Sequence, residues 1–297
     1  KTVKGGIGSG DVNNRENISI FRGIREAGGA VTSGDWLKDY DRRYDDAGEK
    51  WKEKILEDAL HVENPFDAYA ANPFVLPEGR CITEEDLKGA SAALYVISRI
   101  SGEGKDRRLA EGDYYLSRRE REDILYLDQQ GIPLILILNA GGPVELTDIL
   151  REAENIQAVL NISQPGQEGG TAVADILFGK AVPEGKLTAT WAERYEDYPC
   201  ADSFSYLNGN LEKEEYREGI YVGYRYFDTF GVRPLFPFGH GLSYTSFEMR
   251  FHEIRAKENA MGAEITVTNT GSSYAGREVV QVYVSLPQTK AEKEYRR

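Results

Sequence analysis

The chain has 297 residues, enough for one large domain with a smaller one, or for two of ordinary size. Apolar content of 40%, with three Trp, 18 Tyr and 11 Phe, supports a packed core and excludes wholesale disorder. A net charge of −13 with no sustained Lys/Arg block makes nucleic acid and anionic membrane surfaces poor partners, and no apolar run approaches the ~20 residues of a membrane span.

Residues 4–11 are glycine-rich and open the chain with no strand before them, so a fragment that lacks its true N-terminus is expected. Such glycine density lets backbone amides approach a ligand. No Gly-Lys-Ser/Thr follows, so it is not a P-loop, and a tight turn without a ligand remains an alternative. Ile18, Phe21, Ile24 and Arg25 keep helical spacing up to Gly28-Gly29, a C-cap signal. Residues 33–60 read as a charged helix. Asp35, Asp39, Asp41, Asp45 and Asp46 alternate there with Lys38, Arg42 and Arg43, the pattern of a solvated face rather than of a metal site. Residues 62–80 read as a proline-punctuated loop.

From 82 to 190 a rhythm sets in. A helix near 83–90 precedes an apolar strand at 93–98, the loop Ser101-Gly102-Glu103-Gly104-Lys105-Asp106-Arg107, and a helix at 117–130 opened by Ser117 and Glu120 as a capping box. A strand at 134–138, a helix near 145–153, a strand at 158–162 and a helix after Gly170 follow. Fully apolar strands alternating with amphipathic helices indicate an α/β domain with a mainly parallel sheet sandwiched between helices. Right-handed crossovers put the polar loops after the strands along one edge. That edge collects Ser9, Asp11, Glu103, Asp106, Arg107, Asn139 and Glu168. Glu103 on its loop is either a solvated carboxylate or a reacting one.

Residues 191–247 are aromatic and irregular, a packed connector or a sugar-stacking surface. From 248, alternation at 264–270 and 280–284 reads as strands of a truncated all-β immunoglobulin-like sandwich. The expected division is therefore 1–190, 191–247 and 248–297. Cys81 and Cys200 read as reduced thiols, with one long-range disulfide left open. His61, His240 and His252 are scattered, so neither a metal nor a cofactor is expected. The expected location is cytoplasmic, with secretion left open.

Seven stretches in this order resemble glycoside hydrolase family 3 of the β-glucosidase type. They are Lys4-Gly5-Gly6-Ile7-Gly8-Ser9-Gly10-Asp11, the stretch 100–107 around Glu103, Gln164-Pro165-Gly166-Gln167-Glu168-Gly169-Gly170, Gly185-Lys186-Leu187, the stretch 220–228, the stretch 236–245, and Asn269-Thr270-Gly271. The resemblance implies an (α/β) sandwich followed by a fibronectin type III-like domain. It implies that Glu103 is the general acid/base of a retaining β-glycosidase, that Ser9 reaches the bound sugar, and that Asp106 and Arg107 position the loop. Glu168, the rival carboxylate, is read as capping a helix.

The substrate implied is a β-linked glucoside or oligosaccharide. The family's TIM-like barrel, which carries the nucleophilic Asp and needs roughly 200 residues or more, is not seen. Asp35, in Gly34-Asp35-Trp36, resembles that nucleophile's neighbourhood but falls in the charged helix and is rejected. The chain alone is expected to be inactive. A non-catalytic carbohydrate-binding or scaffold module is the alternative, with a nucleotide-binding protein further behind.

Overall fold

A computed structural model of the chain describes residues 2–6, 13–100, 107–210, 212–258, 260–285, 287 and 293–296. The chain divides into two compact units between Asp175 and Ile176. Among the described residues no helix is long and apolar enough to cross a membrane.

The first unit opens with α1 (Ile20–Glu26), capped by the Ser19 hydroxyl, which accepts from the Arg22 N–H at 3.2 Å. Its far end closes as the sequence expects. Gly28 takes φ 95°, its N–H donates to the Arg25 carbonyl, and the Gly29 N–H donates to that of Ile24, a paired C-terminal cap.

The charged stretch forms α2 (Gly34–Ala59), which has no buried residue. Asp39 pairs with both Arg42 and Arg43, and Lys54 pairs with Asp58. The loop expected at 62–80 contains a helix instead, α3 (Pro65–Ala71). The start signal was present: the Asn64 side chain accepts from the Phe66 N–H, and Pro65 sits in the first turn, where its missing N–H costs nothing. Trp51 anchors α2 to this segment, donating to the Asn72 carbonyl at 2.7 Å and meeting Phe74 edge-on at 5.4 Å.

Next come α4 (Glu84–Leu87), β1 (Ala93–Ser98), α5 (Arg118–Asp128), β2 (Leu134–Asn139), α6 (Thr147–Glu152), β3 (Ile156–Asn161) and α7 (Gly169–Leu177). The three strands form one parallel sheet in the order β1-β2-β3, with Ala93 beside Leu134 and Ser98 beside Asn139. β2 is central, and Leu134, Leu136, Ile137 and Leu138 are fully buried, which is why this strand reads as an unbroken apolar run. Each such side chain contributes about 1.5–3 kcal/mol of burial. α5 packs on β1 and buries Ile124 and Leu127, and its capping box is the expected one: Ser117 Oγ accepts from the Glu120 N–H, while Glu120 accepts from the Ser117 N–H.

The second unit contains β4 (Trp191–Ala192), α8 (Tyr224–Phe230) and β5 (Pro234–Phe236), with β4 and β5 paired antiparallel. Its aromatic side chains pack on one another. Tyr221 meets Phe230, Tyr224 meets Phe238, and Phe236 stacks on His240 at 5.2 Å. The stretches around Lys186 and His240 lie together. The Leu187 N–H donates to the His240 carbonyl, the Gly239 N–H to that of Leu187, and Lys186 Nζ to that of Gly241.

Beyond them, β6 (Phe247–Lys257) and β7 (Ala260–Asn269) form an antiparallel ribbon. This ribbon stands where the sandwich was expected. β6 was not anticipated, although Phe247, Met249 and Phe251 alternate with charged residues. Conversely, residues 280–284 join no strand. Alternation specifies two faces but does not supply a partner edge. This segment is tied by side chains instead, with Tyr283 against Tyr224 and the neighbouring Glu278 paired to Lys186 at 3.0 Å.

Candidate active site

The carboxyl end of the parallel sheet is built from three neighbouring strand exits. Asn139, at the end of β2, is fully buried and acts as the joint. Its Oδ1 accepts from the Val3 N–H at 2.6 Å, while its Nδ2 donates to the carbonyls of Val3 at 2.8 Å and Ser163 at 2.7 Å. The N-terminal segment is thereby fixed beside the loops after β2 and β3. The Gly166 N–H adds a bond to the Lys4 carbonyl at 2.8 Å. Lys4 Nζ donates to Asn14 Oδ1 at 2.7 Å, joining the residues on either side of 7–12.

Ser9, Asp11, Glu103 and Asp106 lie outside the described residues. Arg107 is described, half-buried, at the exit of the Glu103 loop. Its Nε donates to Asp113 Oδ1 at 2.6 Å, its Nη1 to the Pro143 carbonyl at 2.8 Å, and its Nη2 to the Asp113 carbonyl. Asp113 Oδ2 also takes the Arg108 N–H at 2.7 Å, so this carboxylate is wholly engaged in holding the loop's exit.

At the loop's entrance stands Arg99, buried at 4% exposure, which the sequence reading passed over. Its guanidinium faces Glu120 with both nitrogens, at 2.6 and 2.7 Å. The signal was faint but real: an arginine directly after an apolar strand, followed by a capping glutamate with a carboxylate to offer. A buried charge requires such a partner.

The rival carboxylate, Glu168, precedes α7 and accepts from the Thr171 hydroxyl at 3.1 Å, a helix-start contact. The glycines after it have a packing reason. A Cβ on Gly170 would lie 2.1 Å from the Ser19 carbonyl oxygen, and one on Gly23 would lie 2.0 Å from that of Gly170, so α1 and α7 touch backbone to backbone. Asp35 lies in the first turn of α2, exposed and paired with Lys38 at 3.0 Å.

One further acidic group sits behind the edge. Asp123 of α5 is 3% exposed, accepts from the Tyr95 hydroxyl at 3.2 Å, and has its pKa pushed up by burial to about 6. Among the described residues no cluster of His, Cys, Asp and Glu could hold a metal ion.

Comparison with known proteins fits this arrangement. Residues 1–244 match the model of the glycosyl hydrolase family 3 C-terminal domain. Beta-glucosidase A of Butyrivibrio fibrisolvens is 34% identical over 97% of this chain, and a beta-glucosidase of Ruminococcus albus is 33% identical over 97%. The chain spans 37% and 28% of those two proteins. Beta-glucosidase 3B of Thermotoga neapolitana, solved in complex with glucose, superposes over 99% of this chain and 40% of its own, with TM-score 0.81 and 37% identity. A beta-glucosidase of Paenibacillus barengoltzii gives TM-score 0.79 at 31% identity. The chain belongs to glycosyl hydrolase family 3, as a C-terminal domain of that family.

Proposed function

We propose that this chain supplies the general acid/base of a retaining β-glucosidase, with Glu103 in that role and a β-linked glucoside as substrate. The nucleophilic carboxylate then belongs to a barrel domain outside these 297 residues. The observation that carries this reading is the anchorage of the Glu103 segment: the residues on both sides of it are pinned at the carboxyl edge of a parallel sheet, where α/β proteins place ligands. Ser9, on the neighbouring glycine-rich segment, is the proposed sugar contact, and Asp106 and Arg107 position the loop.

The chemistry needs two carboxylates about 5–5.5 Å apart, one attacking the anomeric carbon while the other protonates the leaving oxygen and then takes a proton from water. The acid must hold its proton near neutrality, which requires partial burial or an anionic neighbour. In the full-length enzyme, Glu103→Gln is expected to slow hydrolysis of an alkyl β-glucoside by about 100-fold or more, because that leaving group needs the proton. A dinitrophenyl β-glucoside, which leaves unaided, should be spared in its first step, and azide should restore its turnover. Wild-type rates on both substrates would sink the assignment.

A further inference from the structure

The guanidinium of Arg99 spends all its donors on one small region. Nε donates to the Asp113 carbonyl at 2.6 Å, and Nη1 donates to Glu120 Oε1 at 2.6 Å and the Ser98 carbonyl at 2.9 Å. Nη2 donates to Glu120 Oε2 at 2.7 Å and the Tyr115 carbonyl at 3.2 Å. The Asp113 carbonyl that receives Arg99 also receives Arg107 Nη2. One backbone oxygen thus takes a cation from Arg99, ahead of the Glu103 loop, and another from Arg107, its last residue.

We propose that Arg99, acting with Glu120 and the Asp113 carbonyl, is a positioning residue for the acid/base loop in glucoside hydrolysis. This deepens the function proposed above and rests on Glu103 being the acid. The frame has four fixed points: the end of β1 at Ser98, the first turn of α5 at Glu120, the turn at Asp113, and the loop after β2 through the Arg107–Pro143 bond. If Arg99 served only to fasten α5 to β1, the Glu120 pair would suffice. The Nε bond to an oxygen shared with Arg107 closes the base of the loop instead. Lysine cannot reproduce it, because an ammonium has three donors and no planar fork.

The test compares Arg99→Lys and Arg107→Lys with wild type in the full-length enzyme, on an alkyl and a dinitrophenyl β-glucoside. Rates are taken per active centre, titrated with a 2-deoxy-2-fluoroglucoside, so that unfolded protein is not counted. A misplaced acid predicts a kcat/KM loss of about 10- to 100-fold on the alkyl glucoside and of less than about threefold on the dinitrophenyl one, because kcat/KM reports the first step and only the alkyl leaving group needs the proton there. Equal losses on both substrates, or no loss, would overturn the positioning role. Arg107 is nearer the surface, so its variant carries the test should Arg99→Lys not fold. Glu103→Gln run alongside separates the two ideas. If it discriminates between the leaving groups and the arginine variants do not, only the positioning role fails; if it does not discriminate, the acid assignment fails first.

Discussion

Two buried aspartates show how environment sets the meaning of a carboxylate. Asp86 faces the Arg80 guanidinium with both oxygens and accepts from the Thr83 N–H, and the Arg80 contact above all pulls its pKa down to about 2. Asp123 accepts from the Tyr95 hydroxyl at 3.2 Å and from the Ile82 backbone and has Arg119 at 4.0 Å, yet burial outweighs all three, raising it to about 6. Their contributions to stability run in opposite directions with pH. Asp86 stabilises the fold above its unfolded pKa of 3.8, and that contribution is lost as pH falls towards 2. Asp123 costs nothing below 3.8, its cost grows as pH rises to about 6, and it stays constant above.

Asp86→Asn should therefore lower stability at pH 8 by about 2 kcal/mol. Asp123→Asn should raise it there by up to about 3 kcal/mol and by much less at pH 4.5. Denaturant unfolding of the two variants at both pH values checks this. A loss of stability at pH 8 in Asp123→Asn would mean that its carboxylate is better paired than its surroundings indicate.

Among the elements, α1 and α7 meet backbone to backbone. A Cβ added to Gly170 would lie 2.1 Å from the Ser19 carbonyl oxygen and 2.6 Å from that of Ile18, so it meets backbone, which cannot rotate away. Gly170→Ala is expected to cost about 3 kcal/mol, visible as a lowered Tm. By contrast, Leu56 on α2 and Leu60 just beyond its end are 70% and 81% exposed, and replacing either with serine should change stability by less than about 0.5 kcal/mol. If Gly170→Ala left the Tm unchanged, the backbone contact between α1 and α7 would not be close. α3 is a lesson at this scale. The prolines of 62–80 suggested a loop, yet Asn64-Pro65 is also a helix start, and Tyr69 and Phe74 each meet Trp51 of α2 edge-on.

For the molecule as a whole, the chain spans 28–40% of the length of the beta-glucosidases cited above. The proposed division of carboxylates entails that the purified 297 residues hydrolyse neither an alkyl nor a dinitrophenyl β-glucoside above background. Robust turnover by the isolated chain would show that it carries both carboxylates. Glucose binding by the isolated chain, measured by calorimetry, combined with an unaffected Glu103→Gln enzyme would instead favour a carbohydrate-binding module.

The parallel sheet was legible in the sequence because its central strand β2 is buried on both faces and β1 and β3 are apolar runs beside it, so composition declares it. The α1 cap at Gly28 and the box of Ser117 and Glu120 were legible because capping is local, within a turn of helix. What remained hidden depended on partners distant in sequence. Residues 280–284 alternate like a strand, but no ladder edge reaches them. Asn139 looks like any polar residue after a strand until Val3 meets it across 136 positions. The same holds for the loop at the centre of the proposal. Its glycines and Glu103 can be read in one line, whereas the oxygen on which Arg99 and Arg107 converge exists only once the chain has folded back on itself.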